Sequence, residues 1–219
     1  MRPGLAGISI LLCALQVSAQ TEKLIEKRTK ELIRQNGKGT DRALRQQLLA
    51  MGKLDQQVRK PLETMFTKNA KSDQVRVDAI NRNMADTDRQ LTQQLKDIVT
   101  RNGWPTIHLV GAEASSSAAI ILVHSPDHEF QRGLLPQLDG LVSDGKIIGS
   151  DIAKLTDKLL IGDGKLQRFG TQFHVADGEA VPVPVEDPAH LDELRAKYML
   201  PPMDEYKKLL AKMYHATTK

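Results

Sequence analysis

The sequence predicts a mainly α-helical domain that carries a small antiparallel β-hairpin and is preceded by N-terminal helices. Three observations point there. Apolar residues recur at three- and four-residue steps through most of the chain, which marks helices with one buried face. After Pro105 the texture shifts to short apolar and small-residue segments. Further on, two extended segments flank Asp177-Gly178, a dipeptide suited to tight hairpin turns.

The first nineteen residues have the make-up of a secretion signal. Arg2 gives the positive start, Leu5 to Val17 the apolar stretch, and Val17-Ser18-Ala19 the small-x-small cleavage pattern, which puts the mature start near Gln20. The apolar stretch is short for a membrane span, and an uncleaved anchor is the alternative. Cys13 lies inside this segment and is the chain's one cysteine. Ile10-Leu11-Leu12 lacks the small residues of a lipoprotein site. Cleavage removes the thiol, so disulfides, a cysteine nucleophile and cysteine metal sites drop out of the mature chain. The expected location is periplasmic or secreted.

Each element follows from local pattern. Residues 21–36 are strong helix formers with Leu24, Ile25, Arg28 and Leu32 on one face, and Gly37-Lys38-Gly39 ends them. Thr40 or Asp41 caps a second helix whose buried side is Leu44, Leu48 and Leu49 and which runs to about Gln57. Pro61 then reads as the start of another helix, contributing Leu62, Met65 and Phe66. Residues 72–101 form one long helix capped by Ser72, with Ile80, Met84, Thr87, Leu91, Leu95 and Ile98 as its stripe. Gly103-Trp104-Pro105 stops it.

Residues 111–123 are small and then apolar, which suits a deeply buried helix. Helices over 127–141, with Pro136 kinking or restarting it, and over 150–161 follow. Strands are expected at 167–175 and 180–185, the second held to an edge by Pro182 and Pro184. Asp187 caps a helix over 188–198, and a last helix runs to about Tyr214. The domain reading is a signal peptide at 1–19, a basic helical segment at 20–71, and a helical domain at 72–215 with the hairpin at 167–185.

Apolar residues make up 40% and charged residues 26% of the chain, an ordinary globular balance. The net charge is +4, with the basic excess before Gly103 and an acidic excess after it. A basic half suits weak association with anionic surfaces. Export argues against nucleic acid as a partner. A small molecule, peptide or envelope component is the expected kind of partner.

Zinc-protease, nucleophile-elbow, phosphate-loop and dinucleotide signatures are all lacking, so no cofactor is expected. His124 and His128 are four apart, but Pro126 between them breaks a shared helical face, and no metal site is assigned.

From residue 75 to 206 a series of small motifs runs in order. They are Asp88, Gly103-Trp104-Pro105, Val110-Gly111, the small-residue segment ending at His124, and Phe130-Gln131. Gly170-Thr171-Gln172, Glu186-Asp187-Pro188, Asp192 with Arg195, and Leu200-Pro201 with Tyr206 complete it. The set resembles an uncharacterised bacterial family, a domain of unknown function. The resemblance implies no established reaction. Two positions depart from its pattern: Val123 precedes His124 where Gln is expected, and Phe169 precedes Gly-Thr-Gln where Tyr is expected.

The candidate site residues follow from side-chain chemistry. His124 ends a buried helix and suits a general base, or else donates to a helix-terminal carbonyl. Glu186, which local structure explains less well than it does Asp187, is the acidic catalytic candidate, and Asp192 is the other carboxylate able to orient the histidine. Gln131 and Gln172 carry amides that both donate and accept, while Arg168 and Arg195 suit a carboxylate or phosphate. Trp104 is a core plug or a stacking platform. Two functions follow: binding of a small molecule, peptide or envelope component, or a small hydrolase or lyase with His124 as base and an acidic partner.

Overall fold

The computed structural model describes residues 19–67, 74–176, 179–214 and 217–218. Nine helices and three short strands are formed among them. The expected signal up to Ser18, the expected cap Ser72, the expected turn at Asp177-Gly178 and His215 lie outside the described residues.

Helix α1 (Ala19–Asn36) leads to α2 (Arg42–Thr67) and α3 (Gln74–Asn102). Asp41 caps α2 by accepting the Leu44 N–H at 2.9 Å. Helix α2 does not stop near Gln57. It continues through Pro61, so the separate helix expected to begin there is part of α2. Pro61 is exposed, and the bond it cannot make would fall on the carbonyl of Gln57, also an exposed residue, where water can replace it.

A short turn, α4 (Ile107–Val110), precedes α5 (Ala112–His124). Helix α6 (His128–Ser143) runs unbroken past Pro136, and α7 (Gly149–Gly162) follows. Helix α5 is the centre of the body. It packs on α2, α3 and α7, while α6 covers α7. Its small residues allow close approach: a Cβ on Gly52 of α2 would come within 2.6 Å of Ser117 Oγ. Leu44, Leu48 and Met51 of α2 share one core with Leu91, Leu95 and Ile98 of α3, Ile121 and Leu122 of α5, and Ile152 and Leu155 of α7. Trp104 is buried in the same cluster. The basic segment before residue 72 therefore contributes its second helix to the main core.

Backbone contacts clasp the α1–α2 loop to the α4–α5 junction. Thr40 and Asp41 donate to Leu109 O at 2.9 and 2.8 Å. Gly111, at φ 82°, faces Lys38 O so closely that a Cβ would lie 2.8 Å from it. Helix α1 is further tied by Asn36 Nδ2, which donates to Gly145 O at 2.9 Å.

Strands β1 (Phe173–Ala176) and β2 (Glu179–Pro182) pair antiparallel, with Phe173 opposite Pro182 and Ala176 opposite Glu179. The expected hairpin is present but shorter than 167–175 and 180–185. A third strand, β3 (Thr217–Thr218), pairs parallel to β2, so β2 is central rather than an edge. The prolines permit this because β3 meets only Glu179 and Ala180, ahead of Pro182. Helix α8 (Leu191–Lys197) starts later than the 188 expected, and α9 (Met203–Tyr214) packs on β2 and β3. Asp187 instead closes the preceding turn, accepting from Ala189 N at 3.1 Å and His190 N at 3.3 Å.

Candidate active site

His124 is the last residue of α5, and its side chain is 6% exposed. Its Nδ1 lies 2.8 Å from Asp55 Oδ1, on α2. A carboxylate oxygen only accepts, so the hydrogen bond places a proton on Nδ1. In the neutral ring that leaves Nε2 with a lone pair. Nε2 is buried and has no hydrogen-bond partner among the described residues.

Asp55 is held on every side. Arg59 Nη1, one turn further along α2, lies 3.1 Å from the same Oδ1. Gln56 Nε2 donates to Oδ2 at 2.8 Å. Arg59 also reaches across to α3, where Nη2 lies 2.6 Å from Asp88 Oδ1. Burial, the largest influence, holds the Asp88 carboxyl above its ordinary range, against the opposing pull of Arg59 and His124. The fourth wall is α7. Lys158 Nζ donates to Val123 O, the carbonyl just before His124, at 2.7 Å. Burial pulls the Lys158 ammonium below the ordinary lysine range, opposed by Asp88 and assisted by Arg59.

Helices α2, α3, α5 and α7 thus bring two carboxylates, two cations and an imidazole to one place. Arg59 stands between the two carboxylates, a pairing that burial of so many ionisable groups requires. The arrangement can accept a proton at Nε2 and stabilise the resulting imidazolium through Asp55. Among the described residues no group of three His, Cys, Asp or Glu side chains is placed to hold a metal ion.

The other candidates lie as follows. Gln131 is fully buried and its Nε2 donates to Leu122 O at 2.7 Å and Ser125 O at 3.0 Å, closing the end of α5 that carries His124. Arg168 and Glu186 bind each other at 3.2 Å on the exposed surface. Gln172 Nε2 contacts Thr171 Oγ1 at 3.2 Å, and its backbone N–H donates to Gln167 Oε1 at 2.9 Å. Arg195 is fully buried and donates to Pro201 O at 2.7 Å and Phe169 O at 2.5 Å, with its guanidinium 4.8 Å from the Tyr206 ring centre. Asp192 accepts the Met203 N–H at 2.7 Å. The carboxylate that meets His124 is thus Asp55, and neither Glu186 nor Asp192 makes that contact.

The family model for a family of unknown function, DUF6624, matches residues 42–219. The chain belongs to that family. The match takes in all of the helices that build the charged cluster, from Asp55 to Lys158. No curated protein and no solved structure matches the chain. Of the two departures from the family pattern noted above, Phe169 is 1% exposed and its ring centre lies 4.4 Å from that of Tyr198. Its ring fills a packed position.

Asp55, Arg59 and Lys158 were missed by the sequence reading as site residues. One signal for Asp55 was present. It continues the spacing of Leu44, Leu48 and Met51, so it falls on the buried stripe of α2, where a carboxylate must find a partner.

Proposed function

We propose that this protein is a small hydrolase or lyase in which His124 is the general base and Asp55 is its acidic partner. The observation that carries the reading is the paired Nδ1 beside a buried, unpartnered Nε2. A histidine with one nitrogen fixed on a carboxylate is set in one tautomer and one orientation, with its other nitrogen aimed at what it deprotonates. Arg59 and Gln56 hold Asp55 in place, and Gln131 with Lys158 holds the backbone at the end of α5.

Two threonine hydroxyls on the cluster's helices α3 and α7 bond backbone carbonyls of their own helices. Thr92 donates to Asp88 O at 2.7 Å and Thr156 to Ile152 O at 2.9 Å. In this reading the base acts on water or on a proton of the substrate itself. The leader-like first nineteen residues support work outside the cytoplasm. No helix among the described residues is long and apolar enough to cross a membrane.

The test is turnover of a panel of ester, amide, phosphoester and β-elimination substrates by the wild type, His124→Gln and Asp55→Asn. One class is expected to turn over, with activity abolished in His124→Gln and reduced about 10²–10⁴-fold in Asp55→Asn. Diethylpyrocarbonate is expected to modify His124 at Nε2 in the wild type. Equal turnover in His124→Gln, or a His124 that stays unmodified in a chain with no turnover, removes the reading.

A further inference from the structure

Lys158 is more than a cap for α5. Gln131 already donates to Leu122, Val123 and Ser125 carbonyls, so the end of that helix has a donor without it. An ammonium carries three N–H donors. Val123 O takes one of those on Lys158, and no other hydrogen-bonded partner for Nζ is present among the described residues. Arg59, the other cation of the cluster, is in a different position, because Asp55 and Asp88 both engage its guanidinium.

The carboxylates are equally committed. Asp55 bonds His124, Arg59 and Gln56, and Asp88 bonds Arg59. With a neutral imidazole the five groups sum to zero charge, and the donors left over are on Lys158. Lys158 is partly exposed, as are Arg59 and Asp88, whereas the Asp55 and His124 side chains are 1% and 6% exposed. A second, independent feature belongs to the residue that follows the carbonyl Lys158 bonds: the buried Nε2 of His124 has no hydrogen-bond partner among the described residues.

We propose that Lys158 is the anion-binding residue of this site. The substrate is then a small molecule with a carboxylate or phosphate group that docks on Lys158 and presents its reacting end to His124 Nε2. The proposal rests on the general-base reading of His124 and names the substrate class for it. An oxyanion returns to the ammonium the interaction that burial takes from it, and charge-assisted bonds of this kind are the strong ones. Binding has a defined pH sign. Lys158 titrates below the ordinary lysine range because of burial, with Asp88 opposing and Arg59 assisting, and Asp55 and His124 are the remaining ionisable groups of the cluster. Anion affinity is present while Lys158 is charged and is lost as pH rises through that lowered range.

The experiment is calorimetric titration of the protein with inorganic phosphate and, separately, with acetate, across neutral to alkaline pH. One of the two is expected to saturate, and its affinity is expected to fall in the alkaline limb earlier than an ordinary lysine would. Lys158→Met is expected to weaken binding about 30-fold, with Lys158→Arg retaining most of it. Lys165→Met, at an exposed position between α7 and the hairpin, leaves binding in place. Absence of saturation with both ions, or an affinity unmoved by Lys158→Met, overturns the proposal. If Lys158→Met does not fold, the wild-type pH profile decides: a flat profile overturns it. Loss of turnover in His124→Gln without Lys158-dependent binding sinks this inference alone. Lys158-dependent binding with an unreactive His124 sinks the general-base reading alone.

Discussion

His124 and Asp55 meet at 2.8 Å although 69 residues separate them in the chain. The contact joins the end of α5 to the middle of α2, and both side chains are almost fully buried, at 6% and 1% exposure. Asp55 sits where the α2 stripe calls for an apolar residue. The fold therefore holds a carboxylate that is tolerable only while its partners remain.

Removing the carboxylate should therefore destabilise the protein strongly. Asp55→Ala leaves Arg59 with one carboxylate, Asp88, beside the carbonyl of residue 55, and His124 Nδ1 with no partner, and the loss is expected at about 3–5 kcal/mol. Asp55→Asn keeps the shape and should lose less. His124→Gln removes a single bond to Asp55, which retains Arg59 and Gln56, and should be milder than Asp55→Ala. Urea unfolding of the three variants checks the ranking. A double-mutant cycle between positions 55 and 124 should give a coupling of about 1–3 kcal/mol.

The helical body was legible because its stripes are regular. Leu91, Leu95 and Ile98 recur at helical steps, and all three are in the core. The small residues of α5 were legible for a related reason, since Ala114, Ala118 and Ala119 suit only close packing. Pro61 misled because a proline is unfavourable inside a helix, while here it sits on the exposed side of α2 and the helix continues past it. The third strand was not legible, because two threonines near the end of a chain carry no periodicity. His124 stood out from sequence as the last residue of an apolar helix. Its partner did not, because pairing across helices depends on how α2 is laid against α5, and an aspartate inside a polar-looking helix reads as a solvated face. Arg168 and Glu186 were legible as charged residues near the hairpin, but their contact is with each other at the surface.

Tyr198 should give the protein a distinctive alkaline signature. Its hydroxyl donates to Asp139 Oδ1 at 3.0 Å. Burial, followed by the negative charge of Asp139 and that hydrogen bond, pushes its phenol up from the ordinary 10.0 to about 12. Below pH 10 both folded and unfolded chains keep the proton, and the contribution to stability is complete. Between pH 10 and about 12 the unfolded chain releases it first, so this contribution is lost as pH rises. Ultraviolet phenolate titration should show a late component, and Tyr198→Phe should remove both that component and its share of the alkaline loss of stability.

Asp157 pins the loop that leads into the hairpin. Oδ1 accepts the N–H groups of Arg168 and Phe169 at 2.7 and 2.9 Å. Oδ2 accepts the Thr171 N–H and hydroxyl, both at 2.8 Å. Burial raises this carboxyl above its ordinary range, while the surrounding donors favour the charged form. Asp157→Asn turns one of the two acceptor atoms into a donor facing donors. The expected loss is about 1–3 kcal/mol for each N–H left unpaired. Hydrogen exchange should locate the effect, with the amides of Phe169 and Thr171 exchanging faster than those of α5. Thr171→Val keeps the backbone bond but removes the hydroxyl's bond to Asp157 and its contact with Gln172 Nε2, and should cost about 1–2 kcal/mol.

Two glycines in neighbouring elements should respond to alanine with opposite signs. Gly133 lies within α6 and is exposed, and a Cβ there would meet nothing within 4 Å. Gly133→Ala keeps the helix and reduces the freedom of the unfolded chain, so it should stabilise by about 0.5–1 kcal/mol. Gly149 begins α7, and a Cβ would stand 2.9 Å from Val142 Cγ1 and 3.0 Å from Tyr198 Cα. The second neighbour is backbone and cannot rotate away. Gly149→Ala must push the α6 end and the Tyr198 segment from α7, with an expected loss of about 1–3 kcal/mol. Thermal unfolding of the two variants is the measurement. A Gly149→Ala protein as stable as the wild type would mean that α7 and the Tyr198 backbone are not in close contact.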